Sequence, residues 1–437
     1  MRRRFHNRKT TWSLGLLLAA LLALSQLPLA AQEPLIYFTP WAGRDGEKER
    51  RILSWASEVS GQPVEIINPG SVNAVAEQLL LYRTTGLSVD VVWNHQSTHH
   101  QFDRINGWLD LRPFVENDPL VDFEMFAPGA LQFFTGPDGR ITALPFRWSF
   151  TVLNYNKDLF DEAGLGYPDS TWRYEVEFLE AAKRLTRRNA DGTVTQWGVV
   201  PLRLHEFIWR AWGANLLTPD RTASGLLDPR AVDALQFLRD LYVVHEVAAT
   251  STAQWDRGNA GMMFENPVLE RNNSNMRWDI AEVPLGPAGV RVTRGAVGAW
   301  SIPSWSDKPE RAWELIRHLA SKEGQIRYLE EGLGGTRFDS IQEFMIDNYD
   351  PSKFQVPLHP DTFHNRDVYL QAMQYAVIDT ERQLLAEYVP ELGFGGNTPL
   401  GNTGAITRDA VPVTQILEEL SQKINAALRQ YPNIFNY

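Results

Sequence analysis

Apolar positions along this chain follow two rhythms, short continuous runs and stretches at helical spacing, and the two alternate. Residues 35–39 form a short β-rich run ending at Pro40 and Trp41. Asp45 can then cap a helix whose apolar positions Ile52, Trp55, Ala56 and Val59 recur at helical spacing until Gly61 stops it. Residues 64–67 read as a second strand, and Val75, Leu79 and Leu80 as the buried face of a second helix. Residues 89–93, interrupted only by Asp90, read as a central strand. Strand, helix, strand, helix, strand is the order of a parallel sheet wrapped by helices.

The stretch 141–160, ITALPFRWSFTVLNYNKDLF, has a different character. An apolar run turns at Pro145, shows Arg147 and Trp148, and resumes as a strand-like run to Tyr155 before Asn156-Lys157-Asp158 opens a helix. We read it as a hinge strand leaving one α/β lobe for another. The pattern then repeats. Thr171 can cap a helix through Val176, Leu179, Ala182 and Leu185; residues 197–200, 261–264 and 278–283 read as strands. Asp228-Pro229 starts a helix with proline at its first position. Residues 291–302, with Gly295 and Gly298, form a second extended run suited to a returning hinge. Helices follow from Pro309 and Ser321, Gly332 ends the latter, and the remainder is mostly helical to an amphipathic stretch at 413–428.

The amino terminus changes the picture. Arg2, Arg3, Arg4, Arg8 and Lys9 precede an apolar run from Trp12 to Leu24, then Pro28 and Ala30-Ala31. This is the layout of a secretory leader, cut near Ala31. The paired arginines also loosely fit a twin-arginine export route. Removing five basic and no acidic residues takes the net charge from −11 to −16. That argues against nucleic acid or an anionic membrane as partner. The chain has no cysteine, hence no disulfides and no lipid-anchored thiol. The expectation is a soluble protein with no direct membrane anchor and no cofactor.

The ordered landmarks in this sequence resemble those of the family 1 bacterial extracellular solute-binding proteins, the maltose-binding-protein-like group. They are Leu144-Pro145, Tyr155, residues 156–160 (NKDLF), Ala163-Gly164-Leu165, Thr171-Trp172 and Leu185-Thr186. Further on stand residues 258–263 (GNAGMM), 300–303 (WSIP), 309–313 (PERAW) and 321–325 (SKEGQ). The resemblance implies a two-lobed periplasmic-binding-protein type II fold. Each lobe is a mostly parallel α/β sheet wrapped by helices, with a ligand cleft between. Residues 1–31 are then the leader, 32–145 with 299–337 lobe one, and 146–298 with 338–437 lobe two. The implied function is capture of a mono-, di- or oligosaccharide in the periplasm and delivery to the permease of an ABC importer, by a monomer, with no chemistry done on the solute.

Ligands of open α/β sheets bind beyond the carboxyl ends of the strands. Trp41 and Trp93 end strand runs, and Trp148 and Trp300 sit in the hinge candidates, so all four are expected in the cleft. Trp55, Trp172 and Trp313, at helical spacing, are expected in the core. The candidate polar partners are Arg44, Asp45, Asn94, Gln96, Arg147, Ser149, Glu206, Glu265 and Asn266, with Trp209 beside them and Arg337 as either a ligand contact or a structural residue. Two departures from the family's pattern stand out: Asn266-Pro267-Val268 where relatives carry a tryptophan, and His95, Ser97, His99 and His100 after the third strand. An anionic solute such as a glycerol phosphate ester, read by Arg44, Arg147 or Arg337, is the alternative ligand. A metal at the histidines and a secreted glycoside hydrolase are weaker readings, since no ligand cluster or catalytic motif accompanies them.

Overall fold

The alternating runs become two mixed sheets joined by a pair of crossing strands. The computed structural model describes residues 32–267, 276–353, 359–393, 397–401, 403–408 and 411–435; the leader expected at 1–31 lies outside them. The first sheet holds β1 (Leu35–Phe38), β2 (Val64–Ile67), β3 (Val91–His95), β4 (Leu144–Phe150), β10 (Thr293–Ser301) and β11 (Ala376–Val377). The second holds β5 (Val152–Asn156), β6 (Arg187–Arg188), β7 (Val194–Val200), β8 (Ala260–Glu265) and β9 (Trp278–Ala281), in the order β6-β7-β8-β5-β9.

β1 pairs in parallel with β2 and β3, as strands linked by the helices Gly43–Ser60 and Val72–Thr85 must. β3 is buried from Val91 to Asn94. Asp90, just before it, is tolerated because it accepts hydrogen bonds from the Ile36 N–H (2.8 Å) and the Ser306 hydroxyl (2.8 Å). β10 is the shared strand. It runs antiparallel to β4 on one edge, and on the other pairs with β11 at its start and β3 at its end.

The chain passes between the sheets at Thr151, later than the change expected at 145–146. β4 lies wholly in the first sheet, and β5 wholly in the second. The crossing is pinned to β10: Thr151 N–H donates to the Arg294 carbonyl (3.2 Å), and the Thr293 hydroxyl donates to the Thr151 carbonyl (2.6 Å). Beside it, Trp148, Phe150, Val297, Val152, Met263 and Trp278 share one hydrophobic cluster that spans both sheets.

Several helix starts carry a capping side chain. Ser71, Asp228 and Ser321 each accept from a backbone N–H of the first turn. Two expectations change. The first helix begins at Gly43, so Asp45 lies within its first turn, where its charge suits the positive helix end. The helix expected from Thr171 begins at Tyr174 with a wide π turn, which sends Tyr174 and Phe178 into the core and leaves Val176 exposed. Trp172 and Trp313 are core residues as expected; Trp55 is half-buried under the Arg327 guanidinium. Among the described residues no helix is long and apolar enough to cross a membrane.

Candidate functional site

A pocket forms where β1 and β3 end. Trp41 and Trp93 meet at right angles, with ring centres 5.3 Å apart. Phe146 of β4 closes the third side, edge-on to Trp93 at 5.9 Å. The Arg147 guanidinium lies over the Trp41 ring, 5.5 Å from its centre. Glu49, Tyr328 and Leu333 line the interior and Asp45 completes the lining, around a cavity of about 10 Å³.

That consecutive residues Phe146 and Arg147 reach one pocket breaks strand alternation, and a β-bulge is the cause. Gly298 of β10 faces Arg147 while Ala299 faces Pro145, so Phe146 has no partner and is re-aimed. A side chain at Gly298 would be tight there: a Cβ would stand 3.1 Å from the Trp93 ring and 3.3 Å from Phe146.

Glu49 projects from the first helix, one turn after Asp45, and is 3% exposed. Its carboxylate accepts from the Tyr37 hydroxyl (2.8 Å) and the Thr39 hydroxyl (2.5 Å). Burial pushes its pKa from the ordinary 4.5 up to about 7, against the pull of those hydroxyls and of Arg147 and Arg50. His95 stacks on Trp93, with ring centres 5.7 Å apart. Burial, Arg294 and Arg147 push it down to about 4, so its imidazole is neutral at pH 7.

A second wall comes from the other sheet. Arg203 reaches Glu206 (3.1 Å) and Glu265 (3.3 Å), and Arg294 of β10 pairs with the second Glu206 oxygen. Burial alone would raise the Glu206 pKa; Arg294 and Arg203 outweigh it and hold the carboxyl below its ordinary range. Glu265 also accepts from the Asn266 N–H (2.9 Å). Alternation along β4 and β10 puts Arg147, Ser149 and Arg294 on one face of the crossing ribbon, and Trp148, Gly295 and Val297 on the other.

Of the residues expected in the cleft, Trp41, Asp45, Trp93 and Arg147 therefore line one pocket. Arg44 is exposed one residue before Asp45, and Ser149 is half-buried on the Arg147 face. Glu206, Glu265 and Asn266 gather around Arg203.

The others are placed differently, each for a packing reason. Trp148 is 1% exposed, packed among Ala127, Ala130 and Phe134 on the far face of the ribbon. Trp209 is fully buried in the second lobe's core beneath Arg382. Trp300 is fully buried, stacked on Phe146 at 4.4 Å, and donates through Nε1 to the Tyr37 hydroxyl (3.3 Å). Asn94 donates to the Ser301 hydroxyl (2.8 Å), and Gln96 accepts from the Val297 N–H (2.6 Å), so both fasten β10. Arg337 holds the Leu120 and Ala320 carbonyls and chelates Asp339, which is the structural role of its two alternatives. His99 is interior, between Asn94 and Thr142, and among the described residues no three metal-ligating side chains converge.

Sequence reasoning missed Phe146, Glu49, Tyr328, Arg203 and Arg294. Arg294 lay inside the returning extended run, and Glu49 four residues after Asp45 on the same helix face; both signals were readable. Tyr328 and the bulge that turns Phe146 had none.

Residues 55–326 match the family described as bacterial extracellular solute-binding protein, and the chain belongs to that family. Members of the family are described as extracellular solute-binding proteins, not as enzymes. A putative binding protein of Brucella abortus is 27% identical over 238 residues, 51% of this chain and 57% of that one; the chain thus spans little more than half of that relative. Two solved structures share the fold. One is the substrate-binding protein Lmo0181 of Listeria monocytogenes in complex with cycloalternan, with TM-score 0.70 and 20% identity, covering 91% of this chain and 98% of that one. The other is UgpB of Mycobacterium tuberculosis in complex with glycerophosphocholine, with TM-score 0.73 and 17% identity, covering 92% and 100%.

Proposed function

We propose that this protein is exported to the periplasm on a leader removed near Ala31, works as a monomer, and captures a carbohydrate between its two lobes for an ABC permease. The observation that carries the carbohydrate reading is the aromatic corner of Trp41 and Trp93 beside polar groups that already neutralise one another. Flat rings suit the C–H faces of a sugar, and hydroxyls both donate and accept, so Arg203, Glu206 and Glu265 can serve them. Because each of these charges has a partner, a neutral solute need not bring a counter-charge. Lobe closure turns on Thr151 and Thr293, where β4 and β10 leave the first sheet. The likeness to a protein bound to cycloalternan agrees with this reading.

One observation favours a glycerol phosphodiester instead. Arg147, Arg203 and Arg294 face the same region, and guanidinium groups suit phosphate. A thermal-shift screen against neutral saccharides and phosphodiesters separates the two, since only binding to the folded state raises the melt. A saccharide response that persists at high salt supports the carbohydrate reading. A response to phosphodiesters alone, weakened by salt, overturns it.

A further inference from the structure

The pocket of Trp41, Trp93 and Phe146 is built for a charge. Resting on its assignment as the solute site, we propose that it takes a cationic group of the solute, an ammonium or guanidinium, in the place the Arg147 side chain now occupies.

Three observations converge. The rings of this box pack edge to face, Trp41 at 87° to Trp93 and Phe146 at 69° to Trp93, and the face of Trp41 is the one a cation already covers. The electron-rich faces of such rings attract a cation. Second, two carboxylates line the box, Asp45 and the buried Glu49. Glu49 is taken out of water, its hydrogen bonds come from two hydroxyls, and the pull of Arg147 and Arg50 does not offset its burial, so a cation entering beside it improves the balance. Third, the box already holds a cation of the right kind, because the Arg147 guanidinium rests on Trp41 and interacts with Glu49. Its side chain is half-buried on a flexible stem.

Size sets the role. The cavity is about 10 Å³, room for about one water and far below the roughly 300–1,000 Å³ of a pocket that encloses a whole ligand, so a solute group can enter only the volume that the Arg147 side chain vacates. The box therefore takes a head group, and the rest of the solute extends along Ser149 towards Arg294 and the second wall.

Binding should also release a proton. The charged and titratable groups around Glu49 are Tyr37, Tyr328, Arg147 and Arg50, with Asp45 and its Lys48 partner (4.0 Å) in the same helix. Below its raised pKa Glu49 is largely protonated, and a cation selects the carboxylate. Affinity for a cation should therefore tighten as pH rises from 6 to 8.

The test removes the internal competitor. Choline and methylguanidinium are titrated into the wild-type protein and into Arg147→Ala, by calorimetry and thermal shift, against sodium chloride of equal ionic strength. The expected result is saturable binding of both cations to Arg147→Ala, at least tenfold tighter than to wild type and tightening from pH 6 to 8. Adding Glu49→Gln or Trp41→Ala should weaken it by about tenfold or more. Arg147→Met keeps the bulk without the charge and repeats the measurement if the alanine variant does not fold. No saturable cation binding to a folded Arg147 variant overturns the proposal, as does binding indifferent to both Glu49→Gln and Trp41→Ala. Tighter wild-type binding of glucosamine than glucose assigns the cation to an amino sugar; tighter binding of glycerophosphocholine than glycerol 3-phosphate assigns it to a choline ester. A cation response without any saccharide response keeps the box and removes the carbohydrate reading. A saccharide response without a cation response does the reverse.

Discussion

Replacing Trp148 by alanine separates packing from recognition at the crossing strands. The indole is 1% exposed and packs between the helix Pro128–Phe133 and Gly295 of β10. A Cβ built at Gly129 would stand 3.5 Å from the ring, and one at Gly295 only 3.0 Å, so both glycines exist in contact with it. Among the described residues its Nε1 has no hydrogen-bond partner, so truncation forfeits packing and leaves no new unsatisfied group. Deleting a buried indole costs about 3–5 kcal/mol. Against the roughly 5–15 kcal/mol that folded proteins hold in total, that is a large fraction. A urea melt followed by circular dichroism should show a clearly lower midpoint for Trp148→Ala. The box on the opposite face should keep its choline affinity in the Arg147→Ala background within about threefold, under 1 kcal/mol. A melt that superimposes on wild type would refute the placement. Weakened binding in a protein of unchanged stability would put the indole against the solute.

Three further perturbations have defined outcomes. For Glu49→Gln the sign follows from a pKa raised from 4.5 to about 7: stability is fully present below 4.5 and is lost as pH rises through 7. The glutamine variant should thus flatten the fall in stability between pH 5 and 8, and an unaltered profile would show that Glu49 is not buried as described. Arg337→Ala strands the Leu120 and Ala320 carbonyls and should cost about 3 kcal/mol in a urea melt, with cation affinity at the box unchanged. Arg104 joins the lobes away from the crossing, reaching Glu387 (3.2 Å), the Tyr388 hydroxyl (3.5 Å) and the Ile434 carbonyl (3.5 Å). This partly exposed pair is worth only about 0.5–1 kcal/mol. Arg104→Ala should therefore leave the melt nearly unchanged while enlarging the radius of gyration in X-ray scattering; identical scattering would mean the contact does not restrain the lobes.

What could be read in advance was whatever one local rule decides. Apolar-rich runs at 64–67 and 89–93, each broken by one acidic residue, gave strands at Val64–Ile67 and Val91–His95, and Asp228-Pro229 and Ser321 opened helices, because β-rich composition and capping of an N-terminus are short-range signals. The site was half legible. Strand-end logic found Trp41 and Trp93, whose position depends only on where β1 and β3 stop. It failed for Trp148 and Trp300, because a strand presents two faces and one shift of register exchanges them. The bulge opposite Phe146 is such a shift, and it arises from pairing with β10, about 150 residues further on. Arg203, Glu206, Glu265 and Arg294 are likewise a tertiary event, since these four charges from three segments neutralise one another only once β10 lies beside the second sheet.

The central claim is that this family member binds a carbohydrate against Trp41 and Trp93. Its most direct test is isothermal titration of the purified protein with neutral and amino saccharides, from monosaccharides to oligosaccharides, repeated with Trp41→Ala. We predict saturable binding of at least one saccharide at both low and high salt, lost or weakened at least about tenfold in the variant. Binding of glycerophosphodiesters with no response to any saccharide would contradict the claim, as would a saccharide affinity indifferent to Trp41.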